Sequence, residues 1–192
     1  PGLPFTSAQT TVSVTGGAGA AIAARDGESV IFYPTLDAAI AAATSGEVLV
    51  LSDNGLTPEV LTDPDIKLTV APGVQLRAAS GKDDYTLVQT KNPNGSVTYA
   101  LFNYGYKLMA PSVTASLSGG KLTATATSST QGATFTYQWY LDGAPIPGAT
   151  AATYSPTQKG SYHVEVQAAV TMPSTTGAVA LSPIAKSVVV DF

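Results

Sequence analysis

Cysteine is absent from the 192 residues. The chain therefore has no disulfide framework, no zinc–thiolate site and no thiol nucleophile. Histidine occurs once, at His163, which leaves little for a transition-metal site. Charge is also scarce. Asp, Glu, Lys and Arg make up 11% of the chain, against ~25% in an ordinary globular domain. The nine basic residues are scattered and the net charge is -4. Nucleic acids and anionic membranes are bound by clustered Lys and Arg, so neither is an expected partner. No apolar run approaches the ~18 residues of a membrane span, so insertion is not expected.

Hydrophobic residues are plentiful, at 44%. A chain this long can bury a real core in one or two domains. It starts at Pro1 with no basic-then-apolar leader, and Phe192 closes a strand-like run. A piece of a longer protein is the expectation.

Residues 6–14 read as a strand, and Gly16-Gly17-Ala18-Gly19 as a loop. The loop lacks the Lys-Ser/Thr of a phosphate-binding loop. Glu28 to Tyr33 is β-branched and aromatic, hence a strand. Thr35 can cap the helix expected near residues 36–43, with Asp37 in its first turn and Ser45-Gly46 as its stop. Glu47 to Leu51 is an apolar run that predicts a strand buried on both faces. Short strands are expected at Glu59–Leu61, Ile66–Val70 and Val74–Ala78. Tyr85–Thr90 and Ser96–Phe102 read as a hairpin joined through Lys91-Asn92-Pro93-Asn94-Gly95. Asn94-Gly95-Ser96 fits a glycosylation pattern, but a tight turn is its expected meaning.

Past Lys107 the character changes, with Met109-Ala110-Pro111 as a short linker. Seven strand segments follow: Val113–Leu117, Lys121–Thr127, Phe135–Leu141, Ala144–Ile146, Ala152–Tyr154, Ser161–Ala169 and Ala185–Val190. Short strands at such spacing predict a sandwich. Period two points Leu122, Phe135, Tyr137, Trp139, Tyr162 and Val164 inward. The same parity sends Thr123, Gln138, His163 and Glu165 outward.

The second half resembles bacterial immunoglobulin-like modules of surface and secreted proteins. The resemblance lies in Tyr137-Gln138-Trp139-Tyr140-Leu141-Asp142-Gly143-Ala144-Pro145-Ile146, then Ala152-Thr153-Tyr154 and Gly160-Ser161-Tyr162-His163-Val164-Glu165-Val166. It implies that Trp139 is the core tryptophan, that Asp142-Gly143 turns a hairpin, and that Tyr162 is a tyrosine-corner residue. Val164 stands where antibody domains carry their second cysteine. Some such modules hold a Lys–Asn or Lys–Asp isopeptide bond. No Asn lies beyond Asn103, so only Lys121 or Lys186 with an Asp, assisted by Glu165, would serve.

The first half is similar to the start of a pectate-lyase-like β-helix. That likeness rests on Phe32-Tyr33-Pro34-Thr35-Leu36-Asp37-Ala38-Ala39-Ile40-Ala41-Ala42-Ala43 and Ser45-Gly46-Glu47-Val48-Leu49-Val50-Leu51-Ser52-Asp53. It implies a strand, a capping helix and a short stack of coils. The expected architecture is thus mainly β. Residues 1–108 form a short β-helix-like (α+β) module, and residues 109–192 an immunoglobulin-like sandwich.

Candidate chemistry is thin. His163 on a solvent-facing strand position lacks the partner that a general base needs. No Gly-x-Ser-x-Gly elbow is present. Asp53, Glu59, Asp63, Asp65, Asp83 and Asp84 cluster in sequence. They suit solvated turns, a structural calcium ion or paired glycosidase carboxylates. The β-helix resemblance adds to the calcium reading, because lyases of that fold use it. Tyr99, Phe102, Tyr104 and Tyr106 lie close together, and Tyr140 is a further exposed candidate. Such rings form platforms for sugars or pack between domains.

These readings describe a non-catalytic pair of modules in a secreted or surface-anchored bacterial protein. The pair would be monomeric and act as a spacer or adhesive segment for a polysaccharide or a cell-surface protein. One alternative is a carbohydrate-binding accessory region of a polysaccharide-degrading enzyme. A truncated lyase-like enzyme is the third.

Overall fold

Alternation of apolar and polar residues builds most of the chain into strands. A computed structural model describes residues 22–26, 29–33, 35–43, 46–51, 58–105, 107–172 and 177–192. The expected strand at 6–14 and the glycine-rich loop lie outside them, as do Asp53 and Tyr106.

The first half contains β1 (Ile22–Asp26), β2 (Ser29–Tyr33), α1 (Leu36–Ala42), β3 (Gly46–Val50), β4 (Glu59–Leu61), β5 (Ile66–Val70), β6 (Ala78–Ser80), β7 (Tyr85–Lys91) and β8 (Val97–Asn103). The Thr35 side chain accepts a hydrogen bond from the Ala38 N–H at 3.2 Å, so the predicted cap is in place. Leu36 and Ala39 turn the helix's buried side toward the core. β3 lies parallel to β5, with Gly46 opposite Ile66 and Val50 opposite Val70. β4 lies parallel to β6, with Glu59 opposite Ala78. Two successive passes of the chain therefore stack in register, strand over strand. Val48, Val50, Leu68 and Leu87 are fully buried between them and the β7–β8 hairpin. Each such aliphatic side chain contributes ~1.5–3 kcal/mol by leaving water.

Two expectations here need correction. β3 is buried on one face rather than two: Val48 and Val50 point inward, while Leu49 is half-buried and Leu51 exposed. The segment 74–77 is not a strand. The β structure begins at Ala78 instead, because pairing with β4 fixes the register there.

The second half contains β9 (Ser112–Ser118), β10 (Lys121–Thr127), β11 (Thr134–Leu141), β12 (Ala144–Pro145), β13 (Thr153–Tyr154), β14 (Ser161–Thr171), β15 (Ala178–Lys186) and β16 (Val190–Asp191). A three-stranded sheet, β13-β10-β9, packs against strands β11, β14 and β16 in a sandwich-like arrangement. Trp139, Leu122, Tyr162, Val164 and Val166 fill the space between. Trp139 donates its Nε1–H to the Ala151 carbonyl at 2.9 Å. The Tyr162 hydroxyl donates to the Gln158 carbonyl at 2.7 Å, four residues upstream. Asp142 and Gly143, at φ +49° and +84°, make the two-residue turn between β11 and β12.

The last long strand differs from expectation. It runs from Ala178 to Lys186 rather than from Ala185 to Val190, and 187–189 is not strand. Pro183 argues against a strand there, because it has no N–H for a ladder. The β14–β15 pairing shifts register between Gln167 and Ala169, and this irregularity accommodates the proline. The Ser182 hydroxyl accepts the Ala168 N–H at 2.9 Å at the same place.

That strand also joins the halves. β15 pairs β14 on one side and β7 on the other. One 11-stranded sheet therefore runs from β12 through β14, β15 and β7 to β2. Leu181 of β15 belongs to the first half's core.

Candidate functional site

The face of β11 and β14 that parity turns away from the sandwich core is not open to solvent. Gln138, Tyr140 and His163 are 1%, 6% and 5% exposed. This corrects the outward placement of Gln138 and His163, and the reading of Tyr140 as an exposed ligand-binding ring. Arg77 and Ala78 of the first half reach Tyr140, Glu165 and Gln167 on that face, while Gln138 gives its amide to the Trp139 and Ile146 carbonyls. Arg77 Nη1 meets Glu165 Oε2 at 2.7 Å and the Tyr140 hydroxyl at 2.7 Å. The Tyr140 hydroxyl also donates to Glu165 at 2.8 Å. Gln167 Nε2 reaches the carbonyls of Ala78 and Ser182 at 2.8 and 2.7 Å. His163 stacks on Tyr140, with centroids 4.6 Å apart and planes 11° from parallel. Burial, with the Glu165 hydrogen bond, pushes the Tyr140 phenol up to about 12. Burial and the charge of Lys186 pull the His163 imidazole below its ordinary value. The cluster ties the halves together, and an imidazole packed in this way is not available to a substrate.

The other predicted aromatics divide by strand parity. Tyr99 faces the core and is only 7% exposed, with its hydroxyl on the Leu76 carbonyl at 3.2 Å. It belongs to no surface platform. Phe102 lies on the opposite side of β8 and is 45% exposed. The Asn103 side chain accepts the Gly105 N–H at 2.9 Å, a local turn that presents Tyr104, itself 41% exposed. The Phe102 and Tyr104 rings stack with centroids 6.1 Å apart and 21° between planes.

Tyr104 also borders a cleft of about 310 Å³. Leu108, Met109, Val170, Met172 and Ala180 line it. Both methionines of the chain thus meet at one place, although 63 positions separate them in sequence. The Tyr104 hydroxyl approaches the Met172 sulfur at 3.9 Å. Methionine is flexible and polarisable, so a wall made of it adapts to differently shaped apolar groups. No periodicity in the sequence would bring Met109 and Met172 together. Only the β14–β15 pairing beside the 107–109 linker does so.

Among the described residues, the carboxylates do not assemble. Asp63 accepts the Asp65 N–H in a local turn at 2.9 Å. Asp83 binds Lys107 Nζ at 2.6 Å, and that ammonium holds its carboxyl below the ordinary value. Among the described residues, no group of three or more His, Asp or Glu side chains comes together to hold a metal ion. Glu165 lies opposite Lys186 across the β14–β15 ladder, and its carboxylate is engaged by Arg77 and Tyr140. Asn94 folds into a turn, accepting both the N–H and the hydroxyl of Ser96. No helix among the described residues is long and apolar enough to cross a membrane. No protein family, curated protein or solved structure matches this chain.

Proposed function

We propose that the chain is a non-catalytic pair of modules from a secreted or surface-anchored bacterial protein, serving as a spacer that also carries an adhesive site. The observation that carries the spacer reading is the sheet that passes without a break from one core to the other. A hinge between modules needs a segment with few contacts across it. Here the β15–β7 ladder and the Arg77–Glu165–Tyr140 cluster occupy the junction. The in-register stacking of β3 on β5 and β4 on β6 supports a short β-helix-like unit. The Trp139 core, the Asp142-Gly143 turn and the Tyr162–Gln158 bond support an immunoglobulin-like unit after it.

The adhesive part is assigned to Phe102, Tyr104 and the adjoining cleft. Two nearly parallel exposed rings present an apolar face beside a Met-lined hollow. The same pair favours the second reading, a carbohydrate-binding accessory region, because flat rings stack on sugar faces. Retention of the chain on immobilised polysaccharides and on bacterial and host cell surfaces tests both. Retention that is lost in Phe102→Ala and Tyr104→Ala supports the site, and the retaining material chooses between the readings. Retention that both variants keep removes the site.

A further inference from the structure

We propose that β9 is a self-association edge, through which two copies of this chain pair antiparallel about Ala115 to extend the three-stranded sheet into a six-stranded one. This inference is independent of the aromatic cleft. It departs from the monomer expected of the sequence.

Sheet edges are ordinarily blunted by charge, proline, a bulge or extreme shortness. The other edges of the sandwich-like half follow that rule. β12, β13 and β16 have two residues each, and β12 contains Pro145. β9 does not. Its sequence, Ser112-Val113-Thr114-Ala115-Ser116-Leu117-Ser118, has no charge, no proline and no glycine. All seven residues pair with β10 without a register break. Among the described residues, nothing pairs with its other side.

The hairpin fixes which groups are open. Gly119 and Gly120, at φ +56° and +74°, form a two-residue loop between Ser118 and Lys121. That loop makes Ser118 and Lys121 a hydrogen-bonded pair, and such pairs alternate along the ladder. Val113, Ala115 and Leu117 therefore turn their N–H and C=O groups to the open side.

These groups match a second copy of themselves. An antiparallel pairing with its two-fold axis at Ala115 sets Val113 opposite the other copy's Leu117, and Thr114 opposite its Ser116. Every outward donor then meets an outward acceptor. The apolar pair shares one face and the hydroxyl pair the other, as cross-strand partners should. An edge without charge brings no like-charge repulsion to the contact. Exposed aliphatic groups flank it: Leu117 is 36% exposed, while Val188 and Val189, just before β16, are 70% and 55% exposed. β16 itself packs beside β9. The contact is isologous, so it closes at two copies. One strand edge with this rim is smaller than a standard interface, so the expected dimer is weak, with a Kd on the order of 1 μM to 1 mM.

Sedimentation equilibrium of the full chain over that range is the test. The expected mass rises from 19.4 kDa toward twice that value. Ala115→Pro removes an outward N–H without touching the β9–β10 ladder, and association should weaken at least about tenfold. Should that variant fail to fold, Thr114→Lys with Ser116→Lys decides. Both positions are exposed, and the pairing sets the two lysines directly opposite each other. The same pair of charges one strand inward, Thr123→Lys with Thr125→Lys, should leave association intact. A parent chain that stays at 19.4 kDa throughout, or edge variants that associate as the parent does, would overturn the proposal.

Discussion

Trp139 is the residue on which the second core depends most. It is fully buried, donates its indole N–H to Ala151, and its ring lies 6.4 Å from Tyr154. Trp139→Ala should cost ~3–5 kcal/mol in urea unfolding, as large-to-small core changes do. A loss below ~1 kcal/mol would place it outside the core. His163 makes a different kind of prediction. Its folded pKa lies below the ordinary 6.5, chiefly through burial. Below that pH the unfolded chain binds the proton more readily than the folded one. Stability is thus fully present above pH 6.5 and is lost as pH falls through the lower folded value. Asp83 acts only below its own ordinary value of 3.8, outside that window. Melting temperatures measured from about pH 8 down to about pH 5 should fall for the parent, and fall less for His163→Phe. Equal slopes for the two proteins would exclude the assignment. Trp139 and Tyr162 were legible in the sequence, because alternation reports which residues share a face. Tyr140, Gln138 and His163 were not. Alternation does not report whether the opposite face is covered, and here Arg77 of a distant segment binds Tyr140 while the Ile146 carbonyl takes the Gln138 amide.

Among the elements, α1 shows local signals placing a helix start, while its end, at an extended Ala43, comes before the expected Ser45-Gly46 stop. Its seven residues are too few to be stable alone, so the cap and the buried Leu36 and Ala39 hold it. Thr35→Ala should cost about 1 kcal/mol by denaturant titration, and Thr35→Asp should restore most of it. A neutral Thr35→Ala would mean that packing alone defines the helix start. The β7–β8 hairpin was equally local, fixed by Asn92 to Gly95 between two alternating runs. β15 was not. Its proline reads as a strand breaker until the irregularity opposite Ala168 is seen. β6 was displaced for a related reason, since its register is set by a parallel partner nearly twenty positions away. Non-local pairing of this kind leaves no trace in a window of neighbouring residues.

For the whole molecule, the aromatics near the junction were found in sequence and the cleft beside them was not. Phe102 and Tyr104 announce themselves by composition. Met109 and Met172 meet only because β14, β15 and the linker converge. Arg77 and Glu165 keep only 16% and 18% of their side-chain surface exposed. Removing one partner leaves the other charge poorly solvated, so Arg77→Ala should cost about 2–4 kcal/mol, somewhat under the range for a fully buried pair. If the halves form one rigid unit, that loss is felt by both cores together. Differential scanning calorimetry of the full chain and of Arg77→Ala, at a concentration low enough to keep the chain monomeric, tests this most directly. One transition is expected in each, with equal calorimetric and van't Hoff enthalpies, and a lower midpoint in the variant. Two separable transitions in the parent, with one of them unmoved by Arg77→Ala, would contradict it.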